Sequence, residues 1–360
     1  MATTLPPSTD YTGSTVTQGG KKTFVTSIRT FLADLLGTDS GNKAAARAAL
    51  GAIDSAGLRN RIINGAMAVD QVNNGASQTF TAGAALAYCV DQWYGYCTGA
   101  NVTGQRAGGS GGTPYRYQFT GAASVTGIGF GQRIEFLNTS DLVQATATLS
   151  VDLANSFLTT ITWTAYYALA NDNFGTLASP NKTAIATGTF TVNATLARYS
   201  AQIAIPLVAN AGIEIVLSVG AQTSGTWTIG NVQLESGTQA TPFERRPIGL
   251  ETEMCQRYFE KSPDNNGYVG AGVVTAVNTI TCTGPFFKVT KRVAPSIVLR
   301  DNTGLAGNMS YTYGSGSGSL ASGADRATVN GFGFFTTATT SNTPGLGAFG
   351  IGGWDASARL

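Results

Sequence analysis

The chain has 360 residues, 42% of them hydrophobic and only 12% charged, with 46 glycines and no histidine. Such a composition can fill ordinary cores and suits β-sheets joined by tight turns, but not a coiled coil or a charge-rich disordered tail. The 22 basic and 20 acidic residues leave a net charge of +2 with no basic run, so nucleic-acid binding is not expected; the missing histidine removes a Ser-His-Asp hydrolase and any His-containing zinc site, and no cofactor is expected.

The opening Met1-Ala-Thr-Thr4 carries neither a basic n-region nor an apolar h-region, so export by a cleaved signal is not expected. Sustained helical signals fall within residues 1–60. Phe24, Ile28, Phe31, Leu32 and Leu35 share one face of a predicted helix over residues 23–36. Asp39 or Ser40 can cap a second over residues 43–50, which Gly51 stops. Two helices this short bury too little to fold alone, so this segment needs a partner.

From residue 61 to about 245 the hydrophobic period switches to two. Tyr115, Tyr117 and Phe119 alternate with Arg116 and Gln118; Leu149, Val151 and Leu153 with Ser150 and Asp152; Ile213, Ile215 and Leu217 follow the same rule. These read as half-buried antiparallel strands of a sandwich. Residues 151–170 come nearest to a membrane span, yet Asp152, Asn155 and many threonines make them soluble strands, and no membrane insertion is expected. The glycine-rich tract 107–112 lacks the Gly-Lys-Ser/Thr ending of a phosphate loop and reads as a plain loop. Trp227 and Ile229 can point inward, Gly230 and Asn231 offer a turn or bulge, and Val232 and Leu234 restore the inward face.

A short helical segment is predicted over residues 246–262, with Pro247 in its first turn and Leu250, Met254 and Tyr258 one above another. It reads either as a linker packed on its neighbouring domain or as an oligomerisation element whose copies meet around an axis. Short strands return in residues 263–360, at 286–289, 297–299, 331–335 and 347–354. The cysteines, Cys89, Cys97, Cys255 and Cys282, lack CxxC spacing, so a metal site is not expected and free thiols are, with a bridge between Cys89 and Cys97 as the alternative if they lie on neighbouring strands.

The run Trp227-Thr-Ile-Gly-Asn-Val-Gln-Leu-Glu235, followed by Ala240-Thr-Pro-Phe-Glu-Arg-Arg-Pro247 and Cys255-Gln-Arg-Tyr-Phe-Glu260, resembles tail-fibre and related appendage proteins of tailed bacteriophages. Shorter matches are Ile63-Asn-Gly-Ala-Met67, Asp91-Gln-Trp93, the ending Trp354-Asp-Ala-Ser-Ala-Arg-Leu360 and, near the start, Phe31-Leu-Ala-Asp-Leu-Leu-Gly37. The resemblance implies a jelly roll like those of carbohydrate-binding modules and a homotrimeric virion protein, assembled in the host cytoplasm. It also implies that the N-terminal segment attaches to another virion protein, with the C-terminus outward. The expected fold is therefore mainly β: two antiparallel β-sandwich, jelly-roll-like domains (61–245 and 263–360) joined by a short helix, after a small helical attachment segment.

The expected activity is binding to a bacterial surface receptor, a glycan first, without catalysis. Aromatic faces stack on sugar rings, which nominates Tyr94 and Tyr96, while Trp93 is assigned to the core and Trp163, Tyr166 and Tyr167 have at least one face claimed by it. In the C-terminal domain, Asn265, Asn266, Tyr268, Tyr311, Tyr313 and Ser315 supply the short polar and tyrosine side chains of an adaptable receptor surface. The alternatives are a purely structural fibre or collar piece, and a glycan depolymerase built on an acidic pair such as Glu135 with Asp152.

Overall fold

A computed structural model describes residues 25–28, 58–109, 112–277, 279–314, 316–336 and 343–360. Two units make up the chain, Met1–Arg59 and Asn60–Leu360. In the first, residues 25–28 are helical; the remainder of the helix predicted there and the one expected over 43–50 lie outside the described residues.

The second unit begins with twelve strands. The first six are β1 (Gln78–Phe80), β2 (Ala87–Tyr88), β3 (Tyr94–Thr98), β4 (Val102–Gly108), β5 (Tyr115–Thr120) and β6 (Gly127–Ile134). Then come β7 (Thr146–Asn155), β8 (Thr160–Ala168), β9 (Lys182–Thr191), β10 (Ala197–Ala204), β11 (Ile213–Val219) and β12 (Thr226–Ser236). They form two six-stranded antiparallel sheets, in the orders β1-β4-β5-β12-β7-β10 and β2-β3-β6-β11-β8-β9. Alternation in sequence becomes the two faces of each sheet. Leu149, Val151 and Leu153 of the first sheet and Ile213, Ile215 and Leu217 of the second enter one shared core, where Trp93 stacks on Phe130 with ring centroids 4.6 Å apart. Each such side chain contributes roughly 1.5–3 kcal/mol by leaving water. The indole Nε1 of Trp93 donates to the Asn64 carbonyl at 3.0 Å, so its polar tip is satisfied.

The expected bulge is present. The pairing of β12 with β7 slips between Gly230 and Gln233, with Asn231 at φ 46°. The extra residue carries the alternation across the slip, so Trp227, Ile229, Val232 and Leu234 are all buried.

The helix predicted over residues 246–262 forms over Ile248–Gln256 only, and Phe259–Lys261, within that span, is a strand paired with the C-terminal β structure. Cys255 and Tyr258 are buried in a cluster with Ile63 and Val69, and Met254 packs against it. The four-residue spacing therefore turns towards this chain's own surface: Tyr258 is buried there, and Met254 and Leu250 are half-buried.

Among the described residues eight strands follow: β13 (Phe259–Lys261), β14 (Gly267–Ala276), β15 (Thr279–Phe286), β16 (Ser296–Arg300), β17 (Asn308–Tyr313), β18 (Gly316–Asp325), β19 (Gly331–Thr336) and β20 (Gly347–Ser357). Here the facing layers are joined at their edges. The order β20-β14-β15-β19-β18-β17 returns to β20, closing a six-stranded antiparallel ring. Ile280, Cys282, Met309, Tyr311 and Phe334 fill its interior. Beyond Gly352, β20 leaves the ring and runs between β13 and β16. A Cβ on Gly352 would lie 2.1 Å from the Arg300 carbonyl oxygen, so only glycine lets the strand pass at this crossing.

The two β structures are fastened to each other by charge. Arg257 pairs with Glu135 at 3.0 Å and Arg292 with Asp172 at 3.2 Å. Lys291 is fully buried, with its Nζ donating to Glu260 and to the Gln256 carbonyl.

Candidate functional site

Register determines what the second sheet shows to the outside. Because Ile213, Ile215 and Leu217 face the core, Glu214, Val216 and Ser218 face outward. Pairing then sets three rows across the sheet: Tyr96, Gly129, Ser218 and Thr162; Tyr94, Gly131, Val216 and Thr164; and Arg133, Glu214 and Tyr166.

The two glycines shape this face. A Cβ on Gly129 would meet Tyr96 Cζ at 2.2 Å, and one on Gly131 would meet the Tyr94 hydroxyl at 2.4 Å. Each tyrosine ring therefore lies flat over bare backbone of the neighbouring strand, and the two rings are 6.5 Å apart at 21°. Tyr94 is sealed below the surface, its hydroxyl donating to Glu214 at 2.8 Å. It has no ring face for a ligand, so of the two tyrosines nominated for stacking only Tyr96, half-buried, is open. Val216 is 5% exposed although it points outward between a glycine and a threonine, so taller side chains rise around it and the centre of the face is recessed.

Glu214 is the charged centre of the third row. It accepts from Tyr94 and from Arg133 Nε at 2.8 Å and pairs with Lys182, whose ammonium sits 4.3 Å from the centre of the Tyr166 ring. Two cations on one fully buried carboxylate hold it as a structural anchor. Burial, with Tyr166 and Glu214 close by, pushes the Tyr96 hydroxyl up to about 12, so at neutral pH it stays protonated and can donate. The far end of the face is walled by the chain's last residues, where the Leu360 carbonyl oxygen accepts from Tyr88 at 2.7 Å and Arg133 at 2.9 Å. What remains open is a flat tyrosine ring beside a shallow hollow rimmed by hydroxyls. That surface can stack on the apolar face of a sugar and hydrogen-bond its edges.

The other nominated residues scatter. Tyr311 is a core residue of the ring, its hydroxyl 3.0 Å from Ser322 Oγ, and Tyr313 is half-buried on the same strand. Both were expected on an adaptable receptor surface, but β17 pairs with β18 as a hairpin and with β20 on its other side, which turns alternate residues inward. Ser315 lies outside the described residues. Asn265 is half-buried beside Gly353, and Asn266 is exposed.

Tyr268 is 78% exposed and meets Phe349 edge to face at 5.8 Å, next to a groove of about 280 Å³. A second groove, about 670 Å³, adjoins it through Ala271 and runs past Val273 to Phe286, which is 85% exposed. Sequence reasoning missed Phe286 and Phe349. Their neighbours Phe287 and Ala348 take the inward positions, and Phe334 fills the interior against Gly350.

Glu135 and Asp152 are not brought together. Glu135 follows β6 of the second sheet and pairs with Arg257; Asp152 is on the outer face of the first sheet and pairs with Arg116 and Arg198. The four cysteines are free and buried. Among the described residues no group of three or more His, Cys, Asp or Glu side chains is placed to hold a metal ion.

No family model matches the sequence, and no curated protein matches it. Solved structures similar to part of the chain include the enzymatically active domain of a tailspike protein of bacteriophage CBA120, with TM-score 0.33 and 16% identity over 50% of this chain and 22% of that one. A putative sugar binding protein from Bacteroides thetaiotaomicron gives TM-score 0.32 and 12% identity over 49% of this chain and 100% of its own. A family 61 carbohydrate-binding module in complex with β-1,4-galactotriose gives TM-score 0.28 and 13% identity over 40% and 88%.

Proposed function

We propose that the chain is a non-catalytic subunit of a fibre-like appendage of a tailed-phage particle, and that it binds a bacterial surface glycan on the outer face of the second sheet. One observation carries the binding site: Tyr96 lies flat over Gly129 with its upper face open, beside the hollow above Val216 and within reach of Ser218, Thr162 and Thr164. A rigid ring held by backbone loses little freedom when a sugar lands on it. The signature over residues 227–260 supports the appendage role, and residues 1–60 supply the segment that meets another virion protein.

In this proposal three copies associate, and the apolar band of Tyr268, Val273, Phe286 and Phe349 gives identical subunits a surface to share. Weak sites then gain by multivalency. The test is a glycan array probed with the full chain and with Tyr96→Ala, beside light scattering. Binding to neutral oligosaccharides that Tyr96→Ala abolishes is expected, from a particle three chains in mass. An array silent for both proteins, or binding indifferent to Tyr96, overturns the site; a monomeric mass overturns the assembly.

A further inference from the structure

The outer face of the first sheet carries a second constellation. Gly230 pairs with Asp152, and Asp152 with Arg198, with Arg116 one residue beyond the pair of Tyr117 and Ile229. A Cβ on Gly230 would stand 2.1 Å from Arg116 Cδ, so the arginine crosses β12 over bare backbone and reaches Asp152 Oδ2 at 3.2 Å. Arg198 donates to Asp152 Oδ1 at 2.9 Å and to the Asn231 carbonyl at 2.8 Å. Asn231, the bulge residue, donates to Asp152 Oδ2 at 2.6 Å and to Thr113 Oγ1 at 3.0 Å. Arg245 donates to that same threonine hydroxyl. The guanidinium carbons of Arg198 and Arg245 each lie 6.0 Å from the centre of the Phe243 ring.

Two guanidinium groups thus pair with one carboxylate, and a third, that of Arg245, is tied to it through Thr113 and Asn231. The nearby Glu244 pairs with Arg246 at 3.3 Å, so the three arginines keep a surplus of positive charge. Like charges this close repel unless an anion joins them. Burial, together with the charges of Arg245 and Arg198, already lowers the Arg116 pKa against the pull of Asp152. Its side chain is 4% exposed, and its Nε has no hydrogen-bond partner among the described residues. Arg198, at 29%, and the exposed Arg245 open the cluster to solvent beside Phe243.

We propose that this cluster is a subsite for a carboxylate-bearing sugar residue, separate from the tyrosine face on the opposite sheet. Arg245 and Arg198 take the carboxylate and Phe243 carries the apolar side of the ring, while Arg116, Asp152 and Asn231 hold the array in place. The planar fork of arginine matches a carboxylate geometrically. The proposal rests on the glycan-binding reading and adds the class of residue that a neutral platform does not recognise.

The experiment titrates the full chain with trigalacturonate, with its carboxyl-reduced neutral counterpart and with inorganic phosphate, in wild type, Arg245→Ala and Tyr96→Ala. Trigalacturonate is expected to bind more tightly than the reduced trisaccharide, to weaken about tenfold or more in Arg245→Ala and with added salt, and to be unchanged in Tyr96→Ala. Equal binding of the charged and reduced trisaccharides overturns the proposal. So does loss in Tyr96→Ala alone, or phosphate competing as well as the trisaccharide, which marks a site for any anion. Neutral glycans that bind through Tyr96 while trigalacturonate ignores Arg245 sink this proposal and leave the platform standing; the reverse result sinks the platform alone.

Discussion

Replacing Gly129 by alanine separates the platform from the fold beneath it. The new methyl would stand 2.2, 2.4 and 2.5 Å from Cζ, Cε1 and the hydroxyl of Tyr96, distances no real contact tolerates, so the ring must lift. Tyr96 is half-buried and has space to do so, at about 0.5–1.5 kcal/mol for a strained rotamer. Alanine in an extended strand returns about 0.4–1 kcal/mol by restricting the unfolded chain. Stability should therefore stay within about 1 kcal/mol of wild type. Binding should not: a pyranose on the flat ring covers roughly 50 Å² of it, worth about 1.3 kcal/mol or about tenfold in Kd. Calorimetric titration with the best neutral glycan, beside urea denaturation, reads both quantities. Gly131→Ala is the contrasting variant: its methyl would strike Tyr94, which is sealed in and cannot lift, so about 1–3 kcal/mol of stability should go instead. A folded Gly129→Ala protein with wild-type affinity would refute the claim that Tyr96 acts by lying flat.

Other consequences are as direct. Burial pushes the thiols of Cys89 and Cys282 up to about 12 and about 11, and it raises Cys255 and Cys97 too, so at pH 8 a thiol reagent should leave the native chain unlabelled and label four cysteines once urea unfolds it. Rapid labelling of folded protein would contradict the burial. Lys291→Met strands Glu260 as a buried, uncompensated carboxylate and should cost about 3–5 kcal/mol in chemical denaturation, most of it regained when Glu260→Leu is added. A double variant no better than the single one would show that the pair is not what holds this point.

The features legible in sequence are those that repeat locally. Alternation identified the strands and the inward sides of Leu149, Val151 and Leu153, and the tryptophan-to-leucine run around Gly230 and Asn231 placed the bulge. Alternation also puts Tyr94 and Tyr96 on one face, but it says nothing of Glu214, 120 residues further on, which draws the Tyr94 hydroxyl down and leaves Tyr96 open. Closure was hidden for the same reason. Tyr311 is interior only because β17 meets β20, a pairing that no local pattern announces. The arginine cluster depends on the register of β5, β12, β7 and β10 together, so Arg116 and Asp152 read separately as ordinary polar alternates of half-buried strands and Arg198 carries no signal of its own.

Strand β20 is hydrogen-bonded along both flanks, first by β14 and β17, then by β13 and β16. Tension along it meets ladders loaded in shear on either side, which yield together rather than unzip one rung at a time. Among the described residues the closed ring has no unpaired edge, which leaves the outer flanks of β13 and β16 as the edges a stray strand could meet. A ring built this way can be tugged and crowded without peeling, and its dealings with neighbours pass through side chains on its outer wall.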